Sequence, residues 1–243
     1  MSDRQIRTIL LVDSSASIIF YLAMLLRRLE YKVMTARSAE EALRIMETET
    51  PSLVLTEVSL PQMSGMQLLK TIKDSARLKA IPVVILTMDK DPGMKNACAL
   101  LGSAGFLNKP VEPDVPYRSL QSVTESTPRA NIRISASLKV IVGDSSEIGD
   151  AVRTEYATAI SEGGVYIKTL YPHPRDALTR LRIFIHGQQI NARAVVLYSF
   201  SKGDGRFQEP GMGMKFVELS DGDRALIRSF IKEQLTGDLG TPA

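Results

Sequence analysis

Hydrophobic positions in the first half of the chain follow two alternating rhythms. Short β-rich runs stand at Thr8 to Val12, Lys32 to Ala36, Leu53 to Glu57, Val83 to Thr87 and Gly105 to Leu107, and stretches with helical spacing separate them. Ile18, Leu22, Leu25 and Leu29 make one apolar stripe, while Ser38 with Glu41 and Ser64 with Gln67 have the spacing of a capping box at a helix start. Continuous apolar strands alternating with amphipathic helices predict a parallel sheet covered on both faces. Five such units predict a doubly wound α/β domain of flavodoxin-like type, whose functional crevice lies at the carboxyl ends of the strands.

The second half alternates instead. Ile132 and Ile134, then Leu138, Val140 and Val142, then Val165 and Ile167, then Leu181, Ile183 and Ile185, then Ala192, Ala194, Val196 and Tyr198 all sit two apart, as in half-buried antiparallel strands. Turn signals divide them at Gly143-Asp144, Glu162-Gly163-Gly164, His186-Gly187 and the glycine-rich stretch from Lys202 to Gly213. Leu226, Ile227, Phe230, Ile231 and Leu235, after Ser220 as N-cap, predict one closing amphipathic helix. The expected architecture is an all-β barrel of about six strands capped by that helix. Between the halves, Pro113, Pro116 and Pro128 flank a thin stripe of Val115, Leu120 and Val123, predicting a short last helix from near Asp114 and a linker over Ser122 to Pro128. The expected division is residues 1–124 and 125–243.

Composition agrees with two ordinary cores: 243 residues, 44% hydrophobic and 23% charged. The single cysteine, Cys98, allows no internal disulfide and has no metal-ligand spacing around it, which points to a reduced, cytoplasmic setting. The longest apolar run, Ile18 to Leu26, is well short of the roughly 20 residues of a membrane span, so none is expected. A formal net charge of +3, evenly spread, argues against a nucleic-acid partner. His173 and His186 lack catalytic or ligand partners, and Arg180 and Arg182 alternate with core residues as a solvated face. No nucleophile, base and orienting acid can be assembled, so no catalytic residues and no enzyme are expected.

The strand ends of the first half read Asp13, Glu57, Thr87 and Lys109, an acid, acid, hydroxyl and ammonium set facing one crevice. Here the chain resembles a response-regulator receiver domain, over about residues 5 to 124. The matching runs are Leu10-Leu11-Val12-Asp13-Ser14-Ser15, Leu55-Thr56-Glu57-Val58 with Pro61-Gln62-Met63-Ser64-Gly65, Ile85-Leu86-Thr87, and Ala104-Gly105-Phe106-Leu107-Asn108-Lys109-Pro110. The resemblance implies a phospho-accepting aspartate at the third strand, paired acids at the first for Mg²⁺, a hydroxyl and a lysine on the phosphoryl group, and at Phe106 the aromatic position that reports the switch. This chain departs at two of these places, with Glu57 where the family has its acceptor aspartate and Ser14 where it has the second acid. Losing one carboxylate weakens Mg²⁺, so at most a weak site at Asp13 and Glu57 is expected. A longer acceptor also misplaces the attacking oxygen for in-line transfer. The expectation is a pseudo-receiver in which Glu57 forms a fixed ion pair with Lys109, in preference to a partial imitation of the phosphorylated state.

At the entrance to the second half stand Arg129 and Arg133, spaced RxxxR, followed by Ala159-Ile160-Ser161-Glu162-Gly163-Gly164. This region, roughly 127 to 236, looks like a PilZ domain, whose marks are RxxxR and D/N-x-S-x-x-G and whose ligand is cyclic di-GMP. Pro210 to Val217 resembles the family's last strand. Guanidinium groups bind phosphate bidentately and lie on guanine rings, so two arginines on a lead-in can close over a nucleotide. Ser161, Gly163 and Gly164 would form the floor, with Gly164 free to take φ > 0. Ala159 stands where the family has aspartate or asparagine, and one lost hydrogen bond costs about 0.5 to 1.5 kcal/mol.

The combined reading is a bacterial-type signalling adaptor that binds cyclic di-GMP and acts through protein contacts. Many PilZ proteins influence motility, adhesion or exopolysaccharide, so such machinery is one expected partner, with nothing in the chain selecting among them, and a homodimer is one expected assembly. Two rivals remain: a ligand-independent scaffold with both sites vestigial, and a regulator still phosphorylated through Glu57 or another acid.

Overall fold

The computed structural model describes residues 7–110, 114–125, 128, 130–143, 152–203 and 209–237. Pro113, Ser126, Thr127, Arg129, Asp144 and residues 204–208 lie outside them, as does the side chain of Val115. Two compact units divide the chain between Ala130 and Asn131.

The first unit runs β1 (Thr8–Val12), α1 (Ala16–Arg28), β2 (Lys32–Ala36), α2 (Ala39–Thr48), β3 (Leu53–Thr56), α3 (Gly65–Asp74), β4 (Val83–Thr87), α4 (Pro92–Leu100), β5 (Gly105–Asn108) and α5 (Asp114–Thr124). Its sheet has the order β2-β1-β3-β4-β5 with every pair parallel. The order turns back on itself between β1 and β3, and this places the crevice at their carboxyl ends. Every residue of β3 and β4 is buried, which is why both strands read as unbroken apolar runs. Leu10, Val54, Leu68, Ile72 and Ile85 are fully buried at the centre of the core.

Both predicted caps form. At α3 the Ser64 hydroxyl accepts from the Gln67 N–H, and the Gln67 side chain accepts from the Ser64 N–H, a complete capping box. At α2 only half of it appears, because the Glu41 carboxylate accepts from Arg37 rather than from Ser38. Helix α5 runs three residues into the expected linker, to Thr124. Leu120 of the expected stripe is fully buried, joined by Tyr117 and Gln121, Val123 is half-buried, and the Gln121 amide donates to the Tyr31 hydroxyl at 3.1 Å.

The second unit contains β6 (Arg133–Val142), β7 (Arg153–Ser161), β8 (Gly164–Lys168), β9 (Leu178–Ile185), β10 (Gln188–Phe200), β11 (Gly211–Leu219) and α6 (Asp221–Thr236). The six strands close into an antiparallel barrel in the order β10-β11-β8-β7-β6-β9. Ile134, Val140, Ile160, Ile167, Ile183, Ala194 and Val196 fill its interior. The two runs expected at Ile132 to Ile134 and Leu138 to Val142 are one strand, bent by a bulge between Ser135 and Leu138. Gly143 and Gly187 take the left-handed conformation that their turns require. The Ser220 hydroxyl accepts from the Asp223 N–H at 3.0 Å and caps α6 as predicted.

Candidate functional site

Two groups of residues come together, one in each unit. In the first, β1, β3 and β5 deliver Asp13, Glu57 and Lys109 to the crevice from the residue just past each strand end. All three are buried. The Lys109 ammonium lies 2.5 Å from Asp13 Oδ2 and 2.5 Å from Glu57 Oε2, so one cation bridges two carboxylates. The expected partner, Glu57, is there, and Asp13 shares the same ammonium, a sharing that no spacing in the chain announces.

The remaining carboxylate oxygens are also occupied. Glu57 Oε1 accepts from the N–H groups of Val58 at 2.7 Å and Ser59 at 3.2 Å, and Asp13 Oδ1 accepts from the Ser15 N–H at 2.9 Å. Charge-assisted bonds of this kind are what keeps buried acids in place. The extra methylene of Glu57 lets its carboxylate fold back onto its own following backbone while still reaching Lys109. Gly65 holds this geometry from the other side. A side chain at residue 65 would collide with the Glu57 carbonyl, so the start of α3 packs directly on the strand end.

Thr87 is buried, and its hydroxyl accepts from the Asp89 N–H at 3.2 Å. Phe106 packs partly buried against the core. Ser14 is exposed, outside the bridged set, and its carbonyl accepts from Arg37 at 3.4 Å. Among the described residues no three His, Cys, Asp or Glu side chains gather where they could hold a metal ion. Asp13 and Glu57 bring two carboxylates to the crevice, and Lys109 contacts one oxygen of each.

In the second unit, Arg133 opens β6 and stands directly opposite Ser161 in the β6–β7 pair. Ile134 and Ile160, the next pair, point into the barrel, so Arg133 and Ser161 lie on the outer side of its wall, Arg133 half-buried and Ser161 buried. Arg129 is outside the described residues. The Ser161 hydroxyl donates to the Gly164 carbonyl at 3.2 Å. Ala159 faces Ser135 on one side and Tyr166 on the other.

Packing already requires both glycines of this motif. Gly164 does not use its freedom to take φ > 0. A side chain there would instead collide with the Met214 carbonyl of the neighbouring strand. A side chain at Gly163 would meet the Asn131 amide at 2.6 Å. The turn itself is held from α6: Arg224 donates to the Glu162 carbonyl at 3.0 Å, and Arg228 grips the Glu162 carboxylate with Nε at 3.1 Å and Nη2 at 2.7 Å. Arg224 and Arg228 are four apart on one helix, a spacing that the sequence displays and that puts both on one face. Arg180 and Arg182, expected as a solvated face, line an open groove of about 580 Å³ with Arg193 and Glu218, in which Arg193 pairs with Glu218 at 2.7 Å.

Known proteins divide the chain in the same two parts. A response regulator receiver domain matches residues 9–120 and a PilZ domain matches residues 125–233. The two-component response regulator ORR7 of Oryza sativa subsp. japonica is 39% identical over 106 residues, covering 43% of this chain and 50% of that protein. ORR3 of Oryza sativa subsp. indica is 36% identical over 106 residues, covering 43% of this chain and 81% of that protein.

The chain belongs to the response regulators.

Like other response regulators it carries a receiver domain, here followed by a PilZ domain, and both are signalling modules. The chain spans half the length of ORR7. Among solved structures, the chemotaxis response regulator CheY4 of Vibrio cholerae is 28% identical over 49% of this chain and 99% of its own, with a TM-score of 0.47. No helix among the described residues of this response regulator is long and apolar enough to cross a membrane.

Proposed function

We propose that this response regulator is a cytoplasmic signalling adaptor whose PilZ domain binds cyclic di-GMP, while its receiver domain works without phosphorylation. The observation that carries the first half is the pairing of Arg133 with Ser161 across two strands on the outer face of the barrel. That pairing sets a guanidinium beside a hydroxyl and a narrow glycine turn, the chemistry a guanine nucleotide with phosphates needs. Ala159 supplies no hydrogen bond, which lowers the affinity without removing the cationic contact.

The second half rests on Lys109. An ammonium already shared by Asp13 and Glu57 leaves neither acid free to bind Mg²⁺ or to attack a phosphoryl group. Glu57 then acts as a structural acid, and the domain presents one fixed surface to its protein partners.

Titration calorimetry tests the ligand. Wild type should bind cyclic di-GMP in the micromolar range, and Arg133→Ala should weaken it about ten-fold or more, because a charged hydrogen-bonding partner is lost. Absence of binding by wild type at tens of micromolar would defeat this reading in favour of a ligand-independent scaffold.

A further inference from the structure

Two rows of residues run side by side across the outer face of the barrel. Register pairs link Arg133, Ser161, Gly164 and Lys215 in one, from β6 through β7 and β8 to β11. The other contains Ser135, Ala159, Tyr166, Gly213 and Tyr198, continuing onto β10. The rows are two residues apart along each strand, so both face the same way. One row is cationic at both ends. Its neighbour begins with two small side chains and ends with two aromatic rings.

The rings lie flat because the strand beneath them has no side chains in the way. A side chain at Gly213 would collide with the Tyr198 ring, and one at Gly211 would come within 2.8 Å of the Tyr166 hydroxyl. The two rings have centroids 6.3 Å apart and planes 28° from parallel, and Phe200 adjoins Tyr198 at 5.5 Å. The Tyr166 hydroxyl donates to the Glu209 carbonyl at 2.7 Å, which fixes the ring in place. Both tyrosines remain partly exposed. An aromatic ring over a strand glycine also shields backbone, and that role alone would account for the packing. It does not account for the small side chains of Ser135 and Ala159, which the register places between the rings and Arg133.

The spacing fits a nucleotide. Two strand steps and one two-residue step separate Tyr166 from Arg133, about 12 Å between backbones, with Lys215 closing the other end. A base can lie on the rings while its phosphate meets a cation. We infer that Tyr166 and Tyr198 form a stacking platform for one guanine of cyclic di-GMP, with Lys215 as a further phosphate contact. Ala159 then fits the site as the gap through which the base reaches the rings. This inference rests on the cyclic di-GMP reading above.

The experiment uses the full chain. In wild type saturated with cyclic di-GMP, the ring resonances of Tyr166 and Tyr198 should shift by NMR. Calorimetry should give Tyr166→Leu/Tyr198→Leu about ten-fold or more weaker binding, and Tyr166→Phe/Tyr198→Phe, which keeps both rings, binding within about two-fold of wild type. Circular dichroism establishes that the barrel of each variant is folded. Unshifted tyrosine rings in the saturated wild type would overturn the platform, whether or not the leucine variant folds. So would a folded leucine variant that binds as tightly as wild type. A wild type that binds no cyclic di-GMP defeats the underlying reading instead, and the platform falls with it.

Discussion

At the scale of single residues, Lys109 decides most about the receiver crevice. One buried ammonium neutralises one of two neighbouring carboxylates and attracts both. Lys109→Met would leave Asp13 and Glu57 buried, close together and uncompensated, at an expected cost of about 3 to 5 kcal/mol. Glu57→Gln should cost less, about 1 to 3 kcal/mol, because Asp13 keeps its cation and only one charged bond is lost. Urea unfolding of the two variants, followed by circular dichroism, checks the order; a milder effect at Lys109 than at Glu57 would refute it. The contact between Glu57 and Lys109 was legible in the sequence because both residues end strands that the apolar pattern marks plainly. The share taken by Asp13 was not, since alternation tells which residues reach the crevice but not how close their tips come. Likewise Ser161 and Gly164 were recognisable as a motif, yet what the glycine must avoid is a carbonyl on a strand 50 residues further along the chain.

At the scale of elements, legibility followed burial. The five strands of the parallel sheet are covered on both faces and stand out as apolar runs, and Ser64 and Ser220 cap helices where their spacing said they would. Strand β7 carries no plain alternation in the sequence. Its inward positions include Ala157 as well as Ile160, and bulges at Ser135 to Leu138 and Ala157 to Ala159 interrupt its alternation with both neighbours. Helix α5 reads as thin for a similar reason, since beside Leu120 it buries Tyr117 and Gln121, which an aliphatic pattern does not count. The close approach of β8 and β11 yields a prediction of its own. Gly164→Ala should destabilise the barrel, because the new methyl meets main chain that cannot swing aside. A lower melting temperature by circular dichroism, seen without any nucleotide present, would establish this as a folding effect; an unchanged melting temperature would return Gly164 to the ligand.

At the scale of the whole molecule, the receiver and PilZ domains bring two possible triggers into one chain. The proposal assigns the input to the nucleotide and a fixed state to the crevice. Incubation with acetyl phosphate and Mg²⁺ should therefore leave the intact mass of the protein unchanged, and a phosphoryl adduct on Glu57 would refute that assignment. The grip of Arg224 and Arg228 on Glu162 bears on how an input could travel. A loop anchored only in solvent would absorb a displacement by bending. This one is bonded to two successive turns of a helix, so a displacement of the loop should carry the helix with it.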